Sequence, residues 1–115
     1  MLQRKKSEEF FHQMPENWNC AQSILKGFQA ELNIPESRVA EFKAYGGGRV
    51  PEGICGALYA ANILLSEQGK KSVNGEFAIK VGAIHCLNIK KEARTSCKDC
   101  VKIADKLVEE KLKKI

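Results

Sequence analysis

Several hallmarks of a membrane-bound or secreted protein are missing from this sequence of 115 residues. Its longest uncharged, largely apolar run covers residues 54–65 and has 12 residues. A membrane-spanning helix needs about 20, so the sequence predicts no membrane span. The first nine residues turn polar and acidic where a signal peptide would turn apolar. We therefore expect a cytoplasmic protein.

The composition also lacks the features of a disordered chain. Hydrophobic residues make up 43% and charged residues 29%, which is the balance of a folded globular protein. Disorder goes with lower hydrophobicity and higher net charge. The length is that of one ordinary domain. We expect a single compact domain over residues 1–115.

Basic charge is present, but the setting that nucleic-acid binding requires is absent. The net charge is +5, and residues 90–115 hold nine Lys or Arg and five acids, which leaves +4 in that segment. No Phe, Tyr or Trp interleaves these lysines, and acids interrupt them. A nucleic-acid surface favours unopposed basic residues together with aromatic side chains. The pattern predicts a solvated helix face and no nucleic-acid partner.

Hydrophobic spacing indicates helices. Residues 7–14 begin with a serine and two glutamates, and carry an apolar stripe that includes Met14. Apolar residues repeat at three and four positions over 18–32. Residues 54–68 are apolar on nearly every side, which is typical of a buried central helix. Residues 77–87 fit a helix or a strand, and we favour the helix because no partner strand is evident. The predicted fold class is all-α, with about five or six helices around one central buried helix.

The last predicted helix has the clearest signals. Ser96 followed by Asp99 resembles a capping box at its start. Apolar residues from 101 to 115 then fall on one arc of the helix. At 100° per residue, Cys97 and Cys100 lie on the apolar side. The lysines and acids of the segment are expected on the opposite face.

Sulfur is the main concentration of reactive groups. Five cysteines are about 4% of the chain, well below the roughly 8–10% of a secreted disulfide scaffold. In a reducing compartment, clustered cysteines are more often metal ligands or redox groups. Cys20, Cys55 and Cys97 each fall at a predicted helix start, where partial positive charge favours the thiolate. We expect these helix starts to converge on one site.

One pair of cysteines forms a Cys-x-x-Cys motif, Cys97 to Cys100. Such pairs serve as redox dithiols, as half of a zinc site or in haem attachment. Haem attachment requires a histidine directly after the second cysteine, and Val101 occupies that position instead. A zinc site needs two more ligands, which His85 and Cys86 would supply. A thioredoxin-like site needs a βαβ unit, and the helical pattern lacks one.

Two short motifs carry a resemblance to a known family. Residues 19–22 read Asn-Cys-Ala-Gln and residues 53–57 read Gly-Ile-Cys-Gly-Ala, and the last motif cysteine precedes a valine by four positions and an alanine by seven. This arrangement resembles the C_GCAxxG_C_C family of redox-active proteins over about residues 18–107. The resemblance implies four recurring cysteines, which map to Cys20, Cys55, Cys86 and Cys97. Cys100 is then an additional thiol.

The resemblance further implies a redox site around the central motif. It assigns a cofactor-binding role to Gly53, Gly56 and Ala57, which surround Cys55 in the sequence. The last glycine of the family motif is replaced by Ala60. Ala60 keeps a small residue for close helix packing, but departs from the glycine that a backbone contact to a cofactor would use.

The leading hypothesis is a redox protein, either an oxidoreductase or an electron carrier, with an unidentified redox partner. In the dithiol version, Cys55 or Cys97 attacks a disulfide, and Cys100 or Cys86 resolves it. In the metal version, an iron–sulfur cluster is bound by Cys20, Cys55, Cys86 and Cys97. Two alternatives remain open. One is a structural zinc site that holds the loop 86–100 against the core, and the other is an interaction domain, for example a homodimer, with buried unreactive cysteines.

Overall fold

The structure is a computed structural model, and it describes residues 6–12, 14, 17–45, 50, 53–85, 88–89, 91 and 95–113. Six α-helices have their bounds in these ranges: α1 (Ser7–Phe10), α2 (Cys20–Leu32), α3 (Glu36–Glu41), α4 (Gly56–Glu67), α5 (Asn74–Val81) and α6 (Cys97–Lys113). A 3-10 helix, Phe42–Tyr45, follows α3 directly. The same ranges contain no strand and two isolated β-bridges. The all-α prediction is confirmed, and the six helices within these ranges agree with the predicted five or six.

One cluster of buried apolar side chains joins these helices. Helix α4 packs against α2, α5 and α6, and α2 also packs against α6. The largest side chains that are fully buried in the cluster include Phe28 of α2, Leu58 of α4, Phe77 of α5 and Val101 of α6. None of the helices in the described ranges combines the length and the apolar content that a membrane crossing requires.

Helix α4 is the most apolar element, as its sequence indicates. It begins at Gly56, two residues later than the apolar run, because Ile54 forms an antiparallel β-bridge with His85. Cys55 occupies the N-cap position. Ala60 lies inside α4 with none of its surface exposed. The small residue at this motif position therefore sits in close packing within the core.

Helix α5 is shorter than the pattern predicts. It ends at Val81, and the next residue, Gly82, has a φ of 101°, a left-handed conformation that stops a helix. The prediction of a helix is right as far as Val81 and wrong for Ile84, whose carbonyl accepts a hydrogen bond from the Cys55 N–H at 2.8 Å. Residue 87, the end of the predicted helix, lies outside the described residues.

Helix α6 begins where predicted, because the Asp99 N–H donates to the Ser96 hydroxyl at 3.1 Å. Its acids do not all face away from the core. Asp105 is 2% exposed, and it accepts a hydrogen bond from the Ser7 N–H at 2.8 Å. The prediction of a uniformly polar opposite face is therefore wrong at Asp105, because α1 packs over this part of α6.

Helix α1 contains only four residues. The apolar stripe predicted for residues 7–14 does not extend to Met14, which lies beyond the helix and is 73% exposed. Ser7 is fully buried, and its hydroxyl oxygen lies 2.0 Å from the point that a Cβ on Gly27 would occupy. A glycine in α2 thus gives α1 the room to pack closely.

Candidate functional site

Three helices each present a cysteine at their first turn. Cys20 is the first residue of α2, where the Asn19 side chain accepts a hydrogen bond from the Gln22 N–H at 2.8 Å. Cys55 is the N-cap residue of α4, and Cys97 is the first residue of α6. The predicted placement of all three cysteines at helix starts is confirmed.

The thiols of these helices come together around Cys100, one turn into α6. A hydrogen bond with the Cys55 thiol keeps the proton on Cys100 and raises the pKa of Cys100 above its ordinary value. Burial raises this pKa further, and so do the nearby Cys97 and Cys20. No disulfide joins any two of these four cysteines. We refer to Cys20, Cys55, Cys97 and Cys100 as the thiol cluster.

Members of the thiol cluster differ in their access to solvent. Cys20, Cys55 and Cys100 are 8%, 5% and 2% exposed. Cys97 is half-buried. A reagent from solution therefore meets Cys97 first, while the hydrogen-bonded pair of Cys55 and Cys100 lies beneath the surface.

Gly56 lets two groups approach the start of α4. A Cβ at this position would lie 2.5 Å from the Tyr45 carbonyl oxygen and 2.7 Å from the Cys20 sulfur. Both distances are shorter than ordinary contacts between such atoms, so any side chain here would displace Cys20 or the 3-10 helix. The described contacts of Gly56 are thus within the protein, and its predicted role toward a cofactor stays a prediction.

Gly53 and Ala57 share the predicted cofactor-binding role of Gly56, but they lie in different surroundings. Gly53 has a φ of 72°, in the left-handed region that favours glycine, and a Cβ there would meet no atom within 4 Å. Ala57 is fully buried in the core. Gly53 therefore shapes the turn before Cys55, and Ala57 fills the core behind it. Cofactor binding by either residue stays a prediction.

Backbone hydrogen bonds hold Cys55 on both sides. Its N–H donates to the Ile84 carbonyl, and its carbonyl accepts from the Tyr59 N–H at 2.9 Å. His85, considered above as a zinc ligand, pairs with Ile54 through its backbone and is exposed. Cys86 lies outside the described residues, so its predicted role stays a prediction.

Three aromatic side chains group around Tyr45, and the sequence carries little sign of this group. Tyr45, whose carbonyl abuts Gly56, has its ring centroid 5.0 Å from that of Tyr59 and 5.2 Å from that of Phe42. Burial raises the pKa of Tyr59 above its ordinary value, and the hydrogen-bonded Tyr45 adds to this rise. Tyr59 follows Cys55 by one helical turn, a spacing that places it near the thiols. No comparable signal marks Tyr45.

The arrangement of the described side chains bears on the metal hypothesis. Within the described ranges, no three His, Cys, Asp or Glu side chains are grouped as a metal ion requires. The four-ligand set of the metal version includes Cys86, and this complete set remains a prediction.

Comparisons with known proteins agree with the pattern of cysteines. A family model described as "Putative redox-active protein (C_GCAxxG_C_C)" matches residues 18–111 of the chain. The match includes all four members of the thiol cluster as well as Cys86. No curated protein and no solved structure matched the chain.

Proposed function

Because the chain belongs to the C_GCAxxG_C_C family, we propose that it is a thiol–disulfide redox protein whose reversible couple is Cys55 and Cys100. The observation that carries the proposal is that both thiols are buried and that the Cys55 thiol, as a hydrogen-bonding neighbour, is the first cause of the raised pKa of Cys100. A disulfide requires its two Cβ atoms about 3.5–4.5 Å apart, and thiols in hydrogen-bonding contact need only a small movement to reach that geometry. The family description supports redox chemistry in general. The contact between Cys55 and Cys100 indicates which two thiols would react.

Oxidation proceeds by successive thiol–disulfide exchange with a disulfide carried by another molecule. The Cys97 thiolate attacks one sulfur of that disulfide, forms a mixed disulfide and releases the first thiol. Cys100 loses its proton and attacks the Cys97 sulfur, which releases the second thiol and forms a Cys97–Cys100 disulfide. Cys55 then attacks Cys100 and frees Cys97. The net reaction transfers two electrons, converting two protein thiols to a disulfide and the external disulfide to two thiols.

Each role follows from position. Cys97 is the attacking thiol because it is the half-buried member of the cluster. Cys100 stays protonated in the resting state because Cys55 and burial raise its pKa, so it reacts only when a mixed disulfide on Cys97 is presented to it. Cys20 lies behind Gly56 and belongs to the same proposed site, as does Cys86 by its place in the family motif.

The test is to oxidise the fully reduced protein with oxidised glutathione in the absence of air. Peptide mass spectrometry without reductant then locates the disulfides. We expect two thiols to be lost and a Cys55–Cys100 link to accumulate. C55S and C100S should each abolish this link, whereas C97S should slow its formation and leave the final link in place. Formation of the link at an unchanged rate in C97S would contradict the role of Cys97.

Metal content of protein purified without air separates the competing hypotheses. Iron with acid-labile sulfide, lost in C55S, would replace the dithiol couple by an iron–sulfur centre. Zinc alone, with stability lost when the zinc is chelated, would indicate a structural zinc site. Thiols that react only after unfolding, in a protein free of metal, would indicate an interaction domain with buried unreactive cysteines. Each of these results would overturn the proposed couple.

A further inference from the structure

Cys55 and Cys100 form a pair of thiols inside the apolar core. Helices α4 and α6 pack against each other, and the Cys55 thiol is a hydrogen-bonding neighbour of Cys100. Both residues belong to the one buried apolar cluster. Within the described ranges, no three His, Cys, Asp or Glu side chains form a group that could hold a metal ion. The pair therefore offers two sulfur ligands, without a third from these ranges, in an apolar setting.

The number and type of these ligands decide which kind of ion would fit. Structural zinc sites and iron–sulfur clusters use four protein ligands, and calcium and magnesium are bound through oxygen. Thiolates select soft ions, among them Cu(I). Cu(I) has a filled d shell, and it forms stable complexes in which only two thiolates bind it, on opposite sides. A buried pair of thiols matches this requirement.

We propose that the reduced protein binds one Cu(I) ion between the Cys55 and Cys100 sulfurs, in a two-coordinate site inside the core. This inference goes beyond the proposed function, because it requires the contact between the two thiols and not their oxidation to a disulfide. A metal–thiolate bond is about 2.3 Å long, so two sulfurs on opposite sides of one ion lie about 4.6 Å apart. Thiols in hydrogen-bonding contact need to separate only slightly to reach that distance.

The charges of the binding step balance through the release of two protons. Cys55 and Cys100 each lose one proton as the two Cu–S bonds form, so the neutral pair becomes a complex with a single negative charge. Partial positive charge at the start of a helix favours such an anion, and Cys55 is the N-cap residue of α4. The apolar surroundings limit the access of water to the ion. Neither copper nor sulfur changes its oxidation state, so the step needs no oxidant or reductant.

The experiment titrates the reduced full-length chain with Cu(I) in the absence of air. Bicinchoninate, whose Cu(I) complex is coloured, competes for the metal. We expect the protein to withdraw one equivalent of Cu(I) from this chelator. X-ray absorption at the copper edge should then show two sulfur neighbours around the ion. This second measurement uses the unaltered protein, so it decides the ligand number even where a cysteine variant fails to fold.

Variants assign the copper to the pair. C55S and C100S each remove one of the two ligands, and each should lose the equivalent that resists the chelator. C97S removes the half-buried thiol of the same helix and should retain that equivalent, as should C86S. Circular dichroism of the four variants shows whether each one is folded.

The possible failures are distinguishable. No withdrawal of Cu(I) from bicinchoninate, in protein that is folded and reduced, would overturn the copper site and leave the proposed redox couple intact. Retention of the copper in C55S or C100S would also overturn the site. Three or four sulfur neighbours, or loss of the copper in folded C86S or C97S, would overturn its two-coordinate form.

The redox proposal can fail without the copper site. Copper held by Cys55 and Cys100, in a chain that forms no link between them with oxidised glutathione, would support this inference and overturn the proposed couple.

Discussion

The Cys20 sulfur lies 2.7 Å from the point that a Cβ on Gly56 would occupy. This relationship joins the first residue of α2 to the first residue of α4, and the Tyr45 carbonyl oxygen closes the same space at 2.5 Å. The glycine after the central motif cysteine is therefore fixed by the close approach of two helices at the thiol cluster.

Substitution of Gly56 by Ala should destabilise the protein. The new methyl group would overlap a backbone carbonyl, which moves only if the 3-10 helix moves, and overpacking of this kind costs about 1–3 kcal/mol. Gly75 provides the matched control, because it lies in α5 and a Cβ there meets no atom within 4 Å. G75A should be neutral or stabilising. Urea denaturation of the reduced proteins measures both, and equal stability of G56A and G75A would contradict the packing.

Asn19 should matter to both α2 and the reactivity of Cys20. Its side chain accepts from the Gln22 N–H and donates to the Lys43 carbonyl at 3.0 Å. N19A removes the cap, and we expect a loss of about 1–2 kcal/mol together with faster alkylation of Cys20. N19S keeps a capping oxygen and, like N19A, lacks the donor to the Lys43 carbonyl, so it should lose less stability than N19A. Identical losses in N19A and N19S would show that the cap is not the cause.

Asp105 should anchor α1 to α6. D105A leaves the Ser7 N–H without this carboxylate in a buried setting, and an unpaired buried donor costs about 1–3 kcal/mol. The control E110A changes an exposed acid of the same helix and should change the unfolding free energy by less than about 0.5 kcal/mol. Limited proteolysis before residue 18 should accelerate in D105A alone. Unaltered cleavage there would contradict the anchoring role.

The thiol of Cys100 should make stability depend on alkaline pH. Its folded-state pKa is raised, mainly by the Cys55 hydrogen bond and then by burial, while an unfolded cysteine titrates near pH 8.5. Above that pH the unfolded state releases a proton that the folded state retains, so stability decreases as the pH rises. The expected slope contribution is at most about 1.4 kcal/mol per pH unit.

Urea denaturation under reducing conditions from pH 8 to 10 measures this slope. C100A should flatten it, because the thiol with the raised pKa is gone. C97A removes the half-buried thiol of the same helix and should retain most of the decrease. The pKa of Tyr59 is also raised, so measurements above pH 10 would mix the two groups. A slope in C100A equal to that of the original protein would contradict the assignment.

The sequence was informative wherever a local signal decides the structure. Asn19 and Ser96 accept hydrogen bonds from the N–H groups of their helices, so the positions of Cys20 and Cys97 at helix starts follow from residues within one turn. Gly82 ends α5 by its left-handed backbone, yet the apolar spacing beyond it imitates a longer helix. The spacing of apolar residues alone could not distinguish a helix that ends at Val81 from one that continues beyond Gly82.

What the sequence could not provide depends on how the helices pack. The motif cysteines leave Cys100 as an extra thiol, whereas packing of α4 against α6 brings it to Cys55. Asp105 looks like a surface acid until α1 covers it. Tyr45 approaches the thiols through its backbone, by way of a 3-10 helix that has no distinctive sequence signal. These relationships join residues far apart in the chain, where periodicity carries no information.

The proposed couple of Cys55 and Cys100 would also link electron transfer to conformational stability. A disulfide at this position would close a loop of 46 residues, from 55 to 100, and restrict the unfolded ensemble by about 4 kcal/mol on the chain-entropy scale. By the thermodynamic cycle, the folded chain then resists reduction by the same free energy relative to the unfolded chain. The thermal unfolding midpoint would therefore report the oxidation state, and a cell that reduced this couple would at the same time make the chain easier to unfold and degrade.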